Sequence, residues 1–174
     1  MSTDPLGPEW AHGPDGLRTR SASRVVVLDD AGRVLMLRGC DPATPGSDWW
    51  FTVGGGRAPG EDACVAACRE LREETGLDVD PAELVGPVWV RSAEFPFLGS
   101  RCRQAEEFFV LRVGEGFTLD AAGWTDLERE SVSEWRWWAP ADLAAAGTTY
   151  YPGDLVRLVG ELPVTWTGDP LPIV

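Results

Sequence analysis

The stretch "GGRAPGEDACVAACRELREETGL", residues 55–77, decides how the rest of the 174-residue chain is read. Its glycine-rich first part ends at Asp62, an acid able to cap a helix. From Ala63 the residues are good helix formers, and Gly76 stands where a left-handed C-terminal cap belongs. The pattern predicts a loop followed by the clearest helix in the chain. At about 100° per residue, with Glu70 at zero, Glu74 lies near +40° and Glu73 near −60°. The three carboxylates therefore share one arc of about 100°. Leu71, Cys64 and Cys68 fall at roughly +100°, +120° and +160°, on an adjoining apolar face. Glu70 and Glu74 are an i,i+4 like-charge pair, which destabilises a bare helix by a few tenths of a kcal/mol. Glu74 also lies near the negative end of the helix dipole. A hard cation such as Mg²⁺ or Mn²⁺ would reward this crowding, because it takes carboxylate oxygens and substrate phosphates as ligands. For the triplet alone, the alternative is a solvated face softened by Arg69 and Arg72.

Upstream, Val25–Leu28 and Val34–Leu37 flank "DDAG" and read as a hairpin. "WWFTV" (49–53) reads as a short strand before the glycine-rich loop. Downstream, "DPAELVGPVWVRSAEF" and "RCRQAEEFFVLRV" read as two strands around "PFLGS". "GWTDLERESVSE" reads as a loop or short helical turn, "WRWWA" as a strand. A second helix starts at Pro140, a good first-turn residue, and resumes through "GDLVRLVGEL". Residues 1–17 are expected as an irregular, partly disordered arm, residues 18–162 as one domain, and residues 163–174 as an irregular tail. Strands and helices mix without regular βαβ alternation, so the expected class is α+β with a mixed β-sheet between α-helices.

The net charge of −13 argues against a nucleic acid duplex held by its backbone and against an anionic membrane surface. A phosphorylated small molecule is still admitted when a divalent cation intervenes. All 15 basic residues are arginines. Cys40, Cys64, Cys68 and Cys102 form no C-x-x-C pair and read as small buried hydrophobes. With no apolar run near twenty residues and no signal-like N-terminus, a cytoplasmic location is expected. His12, the sole histidine, lies among Gly and Pro and reads as surface.

The full stretch resembles the Nudix box: a glycine, five residues, Glu, seven residues, then Arg-Glu-apolar-any-Glu-Glu-any-Gly-apolar. Gly55, Glu61, Arg69, Glu70, Leu71, Glu73, Glu74, Gly76 and Leu77 match every specified position. The flanking segments follow the family's usual order over roughly residues 20–146. The resemblance implies a Nudix fold and Mg²⁺- or Mn²⁺-dependent hydrolysis of a nucleoside diphosphate linked to another group. Nucleoside triphosphates, ADP-ribose-like compounds and dinucleotides are the implied substrates. By position, Glu70, Glu73 and Glu74 look like the metal-binding glutamates, with a Gly55 carbonyl as a further ligand. Glu73 and Glu74 are also implied in catalysis. Arg69 would hold Glu61 and Glu73 by ion pairs, with Gly76 closing the box. The family often forms homodimers. A second reading is a non-catalytic Nudix-like module that senses a nucleotide; a third, an isoprenoid-diphosphate isomerase, would need Cys40 or Cys102.

For the general base outside the box, Glu130 is favoured because it precedes the strand expected beside the catalytic helix, with Glu128 and Glu134 as rivals. One of Glu106 and Glu107 should face the site and the other solvent, since successive strand residues alternate. Trp49, Trp50 and Trp89 are candidates to stack on a base. Arg38, Arg101 and Arg103 are candidates for phosphate contact. The resemblance also supplies subgroup markers, and neither is present. Ser92 occupies the place of the proline of ADP-ribose hydrolases, and Tyr150 and Tyr151 lie far beyond the place of the dinucleoside-polyphosphate tyrosine.

Overall fold

The computed structural model describes residues 5–114, 119–120, 122–124 and 126–174, with the side chains of Leu127 and Glu128 outside the description. The chain runs β1 (Ala11–His12), β2 (Arg18–Leu28), β3 (Val34–Cys40), β4 (Asp48–Gly56) and then helix α1 (Ala63–Thr75). It continues through β5 (Val85–Phe97), β6 (Ser100–Arg112), α2 (Asp126–Ser131), β7 (Val132–Trp138) and α3 (Pro140–Ala145). Last come β8 (Tyr150–Tyr151), α4 (Leu155–Gly160) and β9 (Leu171–Pro172).

The strands join in the order β7-β3-β4-β2-β6-β5-β9, with β1 on β2 and β8 on β4. The β2–β6, β4–β8 and β5–β9 pairs are parallel and the others antiparallel, so the sheet is mixed. Both faces are covered, which is why the central strands read as continuous apolar runs. Val25, Val27, Leu35, Leu37, Phe109 and Leu111 pack with Ala63, Ala67 and Leu71 of α1 on one face. Val26, Leu28, Val34, Met36, Phe108 and Val110 pack with Leu143 of α3 and Leu155 and Leu158 of α4 on the other. The architecture is the α+β sandwich expected.

Local features depart from the sequence reading. The "DDAG" hairpin closes on Asp29, yet β2 and β3 share a single pair, Leu28↔Val34. Beyond it they diverge, because β4 pairs first with β3 and then, through Gly54–Gly56, with β2. The glycines taken as loop are thus the end of a strand. Gly54 adopts φ +126°, and a Cβ there would lie 2.1 Å from the Ser23 carbonyl oxygen. Only glycine allows this approach.

Within residues 5–17 the expected arm is packed rather than loose. Leu6 and Trp10 are buried with Cys102 against Phe95 and Phe97. Arg18 Nη2 donates to the Trp10 carbonyl at 2.8 Å. The tail is ordered as well: Ile173 N donates to Val90 O, and Trp166 and Ile173 pack against the α3/α4 side of the core. Of the cysteines only Cys102 is buried; Cys40, Cys64 and Cys68 are half-buried, at the edges of the packed regions. No helix among the described residues is long and apolar enough to cross a membrane.

Candidate active site

Helix α1 is fixed at both ends. Asp62 accepts from Cys64 N at 2.9 Å and Val65 N at 3.2 Å, satisfying two first-turn donors. Gly76, at φ +78°, donates to Arg72 O at 3.0 Å, closing the C-terminus. The indole of Trp124 donates to Glu74 O at 2.9 Å and Asp120 N to Thr75 O, so a distant segment caps the last carbonyls. Two of the three helix glutamates are withdrawn from water: Glu70 is 5% and Glu74 6% exposed.

Arg69 organises these acids. Its Nε and Nη2 grip both oxygens of Glu61 at 2.9 and 3.0 Å. Nη1 donates to Glu70 at 2.7 Å and Glu73 at 3.0 Å, and Nη2 also reaches Gly56 O at 2.9 Å. The planar fork suits such multiple contacts. Its hydrogen bonds to Glu61 raise the Arg69 pKa above the usual arginine range, outweighing partial burial. The same bonds hold the Glu61 carboxyl below its ordinary range. Glu74 accepts from Gly54 N at 2.6 Å. A Cβ on Gly55 would stand 2.8 Å from Glu70 Oε2, so that glycine lets the strand end lie against the acid. Arg57 ties the loop to the sheet through Glu107 at 2.7 Å.

A cavity of about 1140 Å³ opens over this region. Glu70, Glu73, Glu74, Arg69 and Gly54–Gly56 form one wall. Arg20, Arg24, Gln104, Glu106 and Arg91 contribute another, on β2, β6 and β5. Glu106, 3% exposed, accepts from Arg24 Nε at 3.0 Å, Arg91 Nε at 2.6 Å and Gln104 Nε2 at 2.7 Å. Burial pushes its carboxyl pKa up, but the charges of Arg24 and Arg91 outweigh that and hold it below the usual range. Arg20 donates to Gln104 at 2.5 Å and to Glu9 at 3.2 Å and stands 4.3 Å from the Trp10 ring. Burial, helped by neighbouring Arg24, lowers its pKa to about 10.

Several of the sequence expectations for the site need correction. Trp50 is buried on the opposite, α3/α4 side, edge-on to Trp138, because neighbouring strand residues alternate and Trp49 alone lines the cavity. Trp89 is buried there too, against Phe108. Arg38 is exposed and paired with Asp48, and Arg103 bridges Glu94 and Asp15; neither lines the cavity. Glu130 is exposed on α2 and outside the cavity wall, whereas the following Ser131 and Val132 line it. Glu134 pairs with Arg38 and Arg136, and the Glu128 side chain lies outside the description. Of the adjacent strand acids, Glu106 faces the cavity, and Glu107 is half-buried against Arg57 rather than exposed. Sequence reading missed Arg20, Arg24, Arg91 and Tyr151. The signal for the arginines was charge at same-face positions within strands, and nothing local marks Tyr151.

Whether a divalent cation fits is a question of donor chemistry. Among the described residues no three acidic, histidine or cysteine groups are gathered as a ready cage; the box carboxylates are spread along Arg69. The donors at hand, carboxylates and glycine carbonyls, are nonetheless all hard oxygen ligands, suited to Mg²⁺ or Mn²⁺ and not to thiophilic metals.

An acid-rich helix facing an arginine-lined cavity defines, as a class, an enzyme that handles phosphoric anhydrides. A family model described as NUDIX domain matches residues 18–158, and the chain belongs to the Nudix family of pyrophosphohydrolases. An RNA pyrophosphohydrolase of Dinoroseobacter shibae is 33% identical over 132 residues, covering 71% of this chain and 79% of that one. Another, of Erythrobacter litoralis, is 32% identical over 138 residues, covering 74% and 81%. The solved structure of the E. coli dihydroneopterin triphosphate pyrophosphohydrolase superposes with a TM-score of 0.59 at 23% identity, over 82% of this chain and 93% of that one; this likeness is one of fold.

Proposed function

We propose that the chain is a divalent-cation-dependent pyrophosphohydrolase acting on the triphosphorylated 5′ end of RNA. An RNA chain carries phosphoric anhydrides only there, and the two RNA pyrophosphohydrolase relatives support this substrate. The observation that carries the reading is the cavity, which joins the acidic helix to half-buried arginines in one space. Such a space takes a polyphosphate at one wall and the rest of a nucleotide at the other. The net charge of −13 is compatible with an RNA end held by its terminal phosphates rather than along its backbone.

In this reading Glu70, Glu73 and Glu74, with the Gly55 carbonyl, would hold Mg²⁺ or Mn²⁺. When bound, such an ion neutralises phosphate oxygens and lowers the pKa of water. Arg69 keeps Glu61, Glu70 and Glu73 in register along α1, and Gly54 N orients Glu74. Glu73, with 35% of its side chain exposed, is the helix acid most open to water and takes the proton of the attacking water. Arg24 binds the Gly54 carbonyl at 2.5 Å and so couples the glycine strand end to the charged wall.

The test is Glu74→Gln. The variant should melt close to wild type and lose at least about 100-fold in phosphate or pyrophosphate release from a 5′-triphosphorylated oligoribonucleotide. Nucleoside triphosphates, ADP-ribose and dinucleoside polyphosphates with Mg²⁺ or Mn²⁺ complete the panel. Full turnover by the variant would remove Glu74 from the site. Wild-type preference for a free nucleotide over the RNA end would overturn the substrate.

A further inference from the structure

The last carbonyls of a helix have no intrahelical donors, and at an ordinary surface end water serves them. In α1 the residues that carry these carbonyls include Glu73 and Glu74, and protein serves them instead. Gly76 N donates to Arg72 O at 3.0 Å. Two further donors come from far along the chain. The Trp124 indole N–H donates to Glu74 O at 2.9 Å, across 50 residues, and Asp120 N donates to Thr75 O at 2.9 Å. Gly123 lies flat on the same turn: a Cβ there would stand 2.6 Å from Glu73 O and 2.8 Å from Glu73 Cα. Only a residue without a Cβ lets the two backbones come this close.

Trp124 is held on its other side as well. It packs half-buried against the core cluster that includes Ala67 and Leu71 of α1. Its ring meets Trp135 of β7 edge-on, with centroids 5.9 Å apart. Arg129 Nη2 on α2 donates to Ala122 O at 3.4 Å. Trp135 is paired with Leu37 of β3, so a chain of contacts runs from the sheet edge to the last turn of α1.

What this chain of contacts fixes is backbone. The carboxylates are held separately, Glu74 by Gly54 N at 2.6 Å and Glu73 by Arg69 at 3.0 Å. Such contacts aim a carboxylate only while the backbone beneath it stays helical, and the ends of helices are where fraying begins.

We propose that Trp124, seated by Gly123, is a positioning residue for the cation-binding acids. Its indole N–H pins the last turn of α1 through Glu74 O and so presets Glu73 and Glu74 for a divalent cation. The inference rests on the proposed cation at these glutamates and adds a side chain that touches neither cation nor substrate. A site that is competent only part of the time binds more weakly in proportion to the competent fraction. Loosening this turn therefore shows as lost cation affinity before any substrate is present.

The test is calorimetric titration of Mg²⁺ into the substrate-free protein. Trp124→Phe keeps a ring in place and removes the N–H; it should weaken Mg²⁺ binding about fivefold, the scale of one lost hydrogen bond. Gly123→Ala, which pushes the segment off Glu73, should weaken it at least as much. Leu158→Ala, on the opposite face of the sheet, should lower Tm and leave Mg²⁺ affinity unchanged, which separates positioning from a general loss of stability. Should Gly123→Ala fail to fold, Trp124→Phe decides. Unchanged Mg²⁺ affinity in Trp124→Phe, or an equal weakening in Leu158→Ala, would overturn the inference and leave the cation site standing. No Mg²⁺ uptake by wild type would overturn the proposed cation and this inference with it.

Discussion

Replacing Arg69 with Met keeps most of the side-chain volume and removes the charge that three carboxylates share. The variant loses a two-point grip on Glu61 and single bonds to Glu70, Glu73 and the Gly56 carbonyl. Glu70, 5% exposed, is then a buried charge without its nearest cation. Breaking a buried pair by removing one partner costs about 3–5 kcal/mol. Arg69 is itself 29% exposed, so solvent screening places the expected loss near the lower end, about 3 kcal/mol. For a domain of this size each kcal/mol lowers Tm by roughly 2–4 °C, so Arg69→Met should melt about 6–12 °C below wild type at pH 7.5.

The pH dependence separates an electrostatic cause from lost packing. Hydrogen bonding from Arg69 holds the Glu61 carboxyl below its unfolded value of 4.5. A lowered folded pKa contributes stability that is present above the unfolded pKa and lost as pH falls through the folded one. Wild type should lose this contribution on acidification below pH 4.5, and the variant has none to lose. The Tm gap should therefore narrow as pH falls from 4.5 toward 3, read by differential scanning calorimetry. A gap under about 2 °C at pH 7.5, or one that stays constant across this range, would refute the assignment of Arg69 as the electrostatic centre of the box.

Gly54→Ala places a Cβ 2.1 Å from the Ser23 carbonyl oxygen at φ +126°, so urea unfolding should show a loss above about 4 kcal/mol or no folded protein. Adding Mg²⁺ without substrate should raise the wild-type Tm in proportion to the logarithm of its concentration, since a ligand of the folded state stabilises by mass action. Glu70→Gln and Glu74→Gln should each suppress that rise, and an undiminished rise in both would place the cation elsewhere.

The acidic side of the site was legible because its parts are local. Capping acid, helix formers, Gly76 and the three glutamates lie within one stretch, and helical geometry alone groups Glu70, Glu73 and Glu74. The layered fold was legible for a similar reason: the apolar runs at 25–28, 34–37 and 108–111 announce strands covered on both faces. The substrate side is built from contacts distant in sequence. Glu106 meets Arg24 across 82 residues and Arg91 across 15. Periodicity places Trp49 and Trp50 on opposite faces, but it does not say where along each face the helices end and the cavity begins, so the sequence groups Trp50 with the site although it packs on Trp138 beside α3 and α4. Arg38 and Arg103 carry the same charge as Arg24 and Arg91; strand pairing alone separates the more open partners of Asp48 and Glu94 from the more enclosed partners of Glu106.

Stability by itself gives little reason for that buried cluster. Replacing a buried ion pair with well-packed apolar residues is often neutral or stabilising by about 1–4 kcal/mol. The same strands already do this two residues further along, where Val26, Phe108 and Trp89 lie beneath α3 and α4. Arg24, Glu106 and Arg91 thus mark the place where the face changes from one that meets a helix to one that meets the cavity. The side-chain exposures of 12%, 2% and 10% rule out an ordinary wet surface. Partly desolvated guanidiniums held by one buried carboxylate are preorganised, and each meets an anion with little further loss of hydration or rotamer freedom. In the function proposed above, the acidic helix and the arginine wall are complementary halves: one would hold a cation beside the polyphosphate, and the other would meet anionic groups that no cation covers.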